Sequence, residues 1–189
     1  MSFLKALIGD RLRENGRFVI AIDGRCAAGK TTLAQSLGEE FGGSVIHMDD
    51  FFLREEQRTP TRLAEIGGNV DRERFAEEVL KPLMRKEEFS YRPYSCRDGR
   101  LGDPVPIPRD GLVLVEGSYS LHPEFGRYYD LSFFLDVSPE EQMKRLERRS
   151  PEKLERFRTE WIPKEEAYFR AFSVGEKCDM LLNFQKQNL

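Results

Sequence analysis

The sequence predicts an α/β fold in which a parallel sheet carries helices on both faces. Three observations lead there. Short runs over residues 18–22, 112–115 and 131–137 are apolar at all or nearly all positions, as strands buried on both faces are. Between them lie stretches with helical spacing of apolar side chains, and strands alternating with helices build parallel sheets. Two of these runs, and a further one over 44–48, end on an acid beside a turn residue or a second acid: Asp23-Gly24, Glu116-Gly117 and Asp49-Asp50.

Taken in order, Phe18-Val19-Ile20-Ala21-Ile22 is the first strand, and its apolar run meets a turn at Asp23-Gly24. A helix over residues 30–41 follows, with Leu33, Ala34 and Leu37 on one face. Ser44-Val45-Ile46-His47-Met48 is the second strand. Residues 71–87 form the next helix: Asp71 is a good N-cap, and Phe75, Val79, Leu80 and Leu83 make an apolar stripe. The runs at 112–115, 131–137 and 180–184 supply three more strands, which makes five. Residues 88–108 have a different texture, with an Asp98-Gly99 turn signal and Pro104, Pro106 and Pro108 at alternate positions. That pattern predicts a hairpin insertion beside the sheet. Residues 139–175 read as helical; Pro151 should start a helix and Pro163 should break or kink the next one after Trp161.

The chain has 189 residues, read as a single domain over 1–189. Thirty basic and thirty-three acidic side chains give a net charge of −3, which argues against general nucleic-acid binding. No apolar run approaches the ~18 residues of a membrane span, and acidic Asp10 comes too early for a signal peptide. Cys26, Cys96 and Cys178 lie far apart with no ligand-like spacing, which fits a reducing, cytoplasmic compartment. The oligomeric state stays open, a homo-oligomer included.

Gly24-Arg25-Cys26-Ala27-Ala28-Gly29-Lys30-Thr31 fits G-x-x-x-x-G-K-[ST], between a strand and a helix, with Thr32 next. The glycines let backbone N–H groups converge on phosphate oxygens, and the helix N-terminus adds partial positive charge. Lys30 supplies a point charge for the outer phosphates, and the Thr31 hydroxyl can ligate Mg²⁺. Cys26 lies at the helix N-terminus, a position that lowers a thiol pKa; a plain small loop residue is the other reading. Neither D-x-x-G nor N-K-x-D occurs, which argues against a GTPase. Asp49 and Glu116 follow two other strands, on the sheet edge where ligands bind in parallel sheets. One of two such acids can hold Mg²⁺ and the other can take a proton from an attacking hydroxyl, an effect of about 10²–10⁴-fold. Asp50 reads as a helix cap, and His47 as structural.

The phosphate loop, Ile46-His47-Met48-Asp49-Asp50-Phe51-Phe52, Val115-Glu116-Gly117 and Tyr128-Tyr129-Asp130-Leu131 resemble the uridine kinase group of P-loop kinases, which also holds nicotinamide riboside kinase and phosphoribulokinase. The resemblance implies the P-loop NTPase fold, a five-stranded parallel sheet with a helical lid over 139–175. It implies Asp49 as general base for a nucleoside 5′-hydroxyl, Asp71 on the ribose hydroxyls, Tyr94 near the base, and Glu116 close to Mg²⁺ and the ribose. It also implies lid arginines at Arg145, Arg148 and Arg149, which the i, i+3, i+4 spacing puts on one face. His122, in a stretch shared with bacterial uridine kinase-like proteins, is a candidate substrate contact; a hydrogen-bonded loop histidine is the alternative.

Tyr94 is followed by Ser95-Cys96 instead of the group's usual Asp and His, and the lid lacks its Arg-Gly-Arg segment. The expected function is ATP- and Mg²⁺-dependent phosphorylation of a ribonucleoside, uridine or cytidine first. Nicotinamide riboside or another small molecule as acceptor, and a non-catalytic nucleotide-binding regulator, are the alternatives.

Overall fold

The structure, a computed structural model, describes residues 2–183. Helix α1, Ser2–Asn15, leads into strand β1, Arg17–Gly24, and the glycine-containing loop then opens α2, Lys30–Phe41. Strand β2, Ser44–His47, runs into a 3-10 turn, Met48–Phe51, and a short helix α3, Pro60–Ala64. Helix α4 covers residues 72–85. Four short strands follow, β3 (Phe89–Tyr91), β4 (Tyr94–Ser95), β5 (Arg100–Leu101) and β6 (Val105–Ile107), and then β7, Gly111–Glu116, and β8, Leu131–Asp136. Helix α5, Pro139–Arg149, helix α6 over residues 154–172, helix α7, Val174–Lys177, and strand β9, Met180–Asn183, complete the order. Phe184, expected to end the last strand, lies outside the described residues.

Strands β2, β7, β1, β8 and β9 form one sheet in that order, and every pair is parallel. Alternation along β1 divides its side chains between two cores. Phe18, Ile20 and Ile22 meet α1 and α2 through Leu4, Ile8, Leu33 and Leu37. Val19 and Ala21 face the other side, where α4, the 3-10 turn and α6 contribute Phe75, Phe51 and Tyr168. Helix α1 is not anticipated by sequence. Its buried face is only Leu4 and Ile8 with Leu12 beside them, and exposed Phe3 blurs the pattern.

The insertion is the expected hairpin, made of two successive ladders: β3 pairs antiparallel with β6, and β4 with β5. Asp98-Gly99 turns it, with Gly99 at φ +65°. The side chain of Arg17 clasps its base, donating to the Glu87 carbonyl at 2.8 Å and the Pro108 carbonyl at 2.6 Å.

The break expected at Pro163 does not occur. Helix α6 passes through this proline because a π turn, Phe157–Trp161, precedes it, and the Ile162 N–H reaches back five residues to the Phe157 carbonyl. Helix α4 repeats the device: the π turn Ala76–Leu80 closes with Lys81 N–H on the Ala76 carbonyl, and Pro82 follows. A proline has no N–H for the carbonyl four residues back, and the widened turn shifts the pairing by one residue so that the helix continues.

Phe75 joins α4 to the turn that carries Asp49. Its ring is fully buried, 5.1 Å from Phe51 and 4.8 Å from Phe125 between centroids. Phe75→Ala is expected to cost about 3–5 kcal/mol, read as a lower urea midpoint with unchanged slope; a loss under about 1 kcal/mol would show that this cluster does not anchor the turn.

Candidate functional site

The strand order brings three chain segments together at one sheet edge. The C-terminal ends of β2, β7 and β1 are adjacent, and they lead respectively into Asp49, Glu116-Gly117 and the phosphate loop. A cleft of about 1090 Å³ opens there, bounded by the loop, the turn after β2, the β7 exit, α5 and α6.

The loop holds its curved shape by backbone geometry. Gly24 stands at φ +131°, and a Cβ there would meet the Leu135 carbonyl oxygen at 2.1 Å, so the chain passes β8 only as glycine. Gly29 caps α2 in the left-handed region at φ +102°, with open space where a Cβ would point and no side chain on the helix N-terminus. That is a cradle shaped for phosphate oxygens. Lys30 is buried within it, its ammonium donating to the Gly24 carbonyl at 2.6 Å and the Arg25 carbonyl at 3.0 Å.

Beside the loop, one oxygen of buried Glu116 takes two donors. Thr31 Oγ1 donates to Oε1 at 3.0 Å and His47 Nδ1 at 2.6 Å. His47 is the register partner of Glu116 across β2 and β7, and the hydrogen bond to Glu116 raises its pKa above the ordinary value. Among the described residues no group of three or more His, Cys, Asp or Glu forms a cation cage. Thr31 and Glu116 offer the one or two protein oxygens that Mg²⁺ takes when phosphates supply others, so these residues fit Mg²⁺ carried by a nucleotide.

The neighbouring acids after β2 separate by role. Asp50 accepts from Tyr91 of the hairpin at 2.9 Å, and its carbonyl accepts from Arg74. Asp49 instead opens into the cleft. It is reached by solvent but enclosed by protein on most sides, and its pKa is raised by burial and by the charge of Glu116, against the pull of Lys30.

Of the lid arginines, Arg145 and Arg149 line the cleft. Arg145 donates to the Ala27 carbonyl of the loop at 3.1 Å and pairs with Glu141 at 2.9 Å. Arg148 is exposed and is not among the lining residues, so the expected trio reduces to a pair spaced i, i+4. Cys26, Ala27, Gly29, Lys30, Thr31 and Thr32 also line the cleft. Ala28 is buried against the α2 side of the core, and Arg25 binds Asp136 and Glu166. The Cys26 thiol is the reverse of an activated one: burial and the nearby Glu165 carboxylate push its pKa up to about 12.

Three residues expected at the substrate lie elsewhere. Asp71, at 1% exposure, caps α4 by accepting the Arg74 N–H at 3.0 Å, and its second oxygen sits 3.7 Å from Arg74 Nε and 3.8 Å from Arg54 Nε. Tyr94 is buried in β4 and does not line the cleft. His122 has both ring nitrogens engaged, accepting from Glu124 N–H and donating to the Ile66 carbonyl, each at 3.3 Å, and stacks on Tyr168. This is the hydrogen-bonded loop histidine that stood as the alternative.

Two acids go unread in the sequence. Glu165 of α6 accepts the Cys26 N–H at 3.0 Å and the Ser118 hydroxyl at 2.5 Å, which fastens the lid to the loop. Its spacing resembles that of any solvated helix acid, and its partners lie far away in sequence. Asp23 is fully buried and accepts from Gly24 N–H at 2.7 Å, Leu121 N–H at 3.0 Å and Tyr168 hydroxyl at 2.8 Å. Burial outweighs these donors and the charge of Lys30 and lifts its pKa to about 6.

Comparison with protein-family models and with curated proteins finds no match. Solved structures do match. A possible uridine kinase from Bacillus stearothermophilus superposes with TM-score 0.70 at 20% identity, covering 96% of both chains. A candidate fructose transport system kinase from Silicibacter sp. TM1040 gives 0.70 at 19%, over 95% of this chain and 98% of the other. The fold is that of the P-loop kinases. A D-glycerate 3-kinase from Cryptococcus neoformans var. grubii shares it more distantly, at TM-score 0.57 and 11% identity over the whole of this chain and 97% of the other. Among the described residues no helix is long and apolar enough to cross a membrane.

Asp23 makes a pH prediction. A carboxyl whose folded pKa is raised binds protons that the unfolded chain has already lost, so its contribution to stability falls as pH rises from about 4 to 6. Asp23→Asn lacks that decline. Urea unfolding at pH 4 and 7 should show the change between the two pH values to be about 2–3 kcal/mol more favourable in the variant than in the wild type; equal changes would mean Asp23 is ionised throughout.

Proposed function

We propose that this chain is a Mg-ATP-dependent kinase that transfers a phosphoryl group to a hydroxyl of a small molecule. The observation that carries the reading is the placing of Asp49 on the same cleft as the phosphate loop, Lys30 and the Thr31–Glu116 oxygens.

The loop amides and the α2 N-terminus bind phosphate oxygens. Lys30 holds only neutral acceptors, so its charge is available to the outer phosphates. Thr31 and Glu116 would hold Mg²⁺, which when bound neutralises charge on the β- and γ-phosphate oxygens. Arg145 and Arg149 stand on the lid side and offset the charge of the transferring group. Asp49 orients the acceptor hydroxyl and takes its proton. The acceptor oxygen forms a bond to the γ-phosphorus as the bond from that phosphorus to the β–γ bridging oxygen breaks; ADP leaves, and Asp49 passes the proton to solvent. Such catalysis is positioning and electrostatics.

The acceptor suggested by resemblance is a nucleoside, uridine or cytidine, with nicotinamide riboside second. Their expected ribose and base partners, Asp71 and Tyr94, stand behind the cleft wall, so the reading is kept to a small-molecule alcohol. Among the neighbours, kinases named for a nucleoside, a sugar transport system and a hydroxy acid share the fold.

ADP release with Mg-ATP and a panel of acceptors tests the proposal. Asp49→Asn should lower kcat by about 10²–10⁴-fold while leaving ATP affinity nearly unchanged, and wild-type kcat should fall as pH drops through the raised Asp49 pKa. Acceptor-dependent transfer that survives Asp49→Asn would remove Asp49 as the base; ATP binding with no transfer to any acceptor would favour a nucleotide-binding regulator.

A further inference from the structure

Part of the cleft lining comes from the segment after β2, from α3 and from the hairpin. It is apolar at Phe52, Leu53 and Leu63 and polar at Arg58, Asn69 and Cys96. Arg58 is fixed there by its own backbone neighbourhood. Its Nε donates to the Leu53 carbonyl at 3.0 Å, and Nη2 lies 3.8 Å from Cys96 Sγ in the hairpin turn.

Three acids near Arg58 in sequence, Glu56, Glu65 and Glu73, are engaged by other arginines. Arg54 pairs with Glu56 and faces Asp71, at 3.5 and 3.8 Å. Arg62 pairs with Glu65 and Glu73, at 3.4 and 2.8 Å. Among the described residues no carboxylate lies within ion-pair distance of Arg58, and its guanidinium borders the cleft. The wider field agrees: in a chain of net charge −3, seven basic and four acidic side chains line this cleft. Cations of the loop and of α5 suit a triphosphate, whereas Arg58 comes from the separate segment between the turn after β2 and α3.

We infer that the acceptor carries an anionic group, a carboxylate or a phosphate monoester, which Arg58 binds while Asp49 takes the hydroxyl. The inference rests on the kinase reading proposed above. A guanidinium presents a planar fork of donors that matches either anion, and Arg58 is solvent-exposed at the cleft and so open to an incoming ligand. Asn69 supplies an amide for remaining oxygens.

The test measures ADP release with Mg-ATP in three arms: neutral alcohols (uridine, cytidine, a free ketohexose), hydroxycarboxylates (D-glycerate, pantothenate) and a phosphate monoester (ribulose 5-phosphate). Calorimetric titration of each acceptor in the presence of Mg-ADP detects binding without turnover. One anionic arm should be active, and the active arm distinguishes carboxylate from phosphate. Arg58→Gln should raise KM or Kd for that acceptor about 10- to 100-fold with kcat little changed, and Arg58→Lys should restore part of the loss. Turnover or binding confined to the neutral arm overturns the inference and leaves the kinase reading in place, as does an anionic acceptor indifferent to Arg58→Gln. No acceptor transfer or binding in any arm counts against both readings.

Discussion

The carboxylate of Asp23 sits at the end of the central strand with no access to water, and three segments of chain depend on it. It accepts the first N–H of the phosphate loop, the N–H of Leu121 in the β7 exit segment and the hydroxyl of Tyr168 from α6. None of these donors has a solvent alternative at that depth, and leaving one unpaired costs on the order of 1–3 kcal/mol. The loop, the acid-bearing exit of β7 and the lid are therefore held in register by one group. Tyr168 continues the link by stacking on His122, whose ring nitrogens fasten the segments around Ile66 and Glu124.

From that point outward, the lid and the loop are joined by mixed contacts. Helix α5 reaches the loop carbonyls through Gln142 on Cys26 and Arg145 on Ala27. Helix α6 reaches its amide side through Glu165, while Glu166 and Asp136 hold Arg25. The π turn of α6 lets that helix continue through Pro163 and carry Glu165 and Glu166 to the loop. The segment from α5 to α6 is thus anchored at the loop by hydrogen bonds and leaves Arg149 and Lys153 along the open cleft.

The electrostatics of the cleft follow from the sheet. Parallel strands end together, so acids after β2 and β7 are drawn close, and burial, with the charge of Glu116 added to it, keeps Asp49 more basic than an ordinary aspartate. His47 and Thr31 both donate to Glu116, whereas Asp49 opens into the cleft. This distinguishes two acids that spacing along the chain left interchangeable.

Much of this was legible from residue order alone. Apolar runs marked β1, β7 and β8 because a strand buried on both faces has no polar side to show, shorter runs marked the edge strands β2 and β9, and the loop motif was complete because its chemistry is local: glycines, a lysine and a threonine within eight residues. The hairpin showed itself through Asp98-Gly99 and its prolines. Asp71 was read correctly as a helix cap, but the substrate role attached to it, with those of Tyr94, Arg148 and His122, is not met at the cleft. Whether a polar side chain points to a cavity or into packing depends on neighbours from distant segments. Glu165 and Arg58 illustrate the converse, since nothing in their local spacing separates them from solvated charges. The sequence by itself determined the elements and the phosphate chemistry, which are set by periodicity and short-range geometry. Only the tertiary structure decided which of the remaining charges share a cleft, because burial and pairing arise from contacts between residues far apart in the chain.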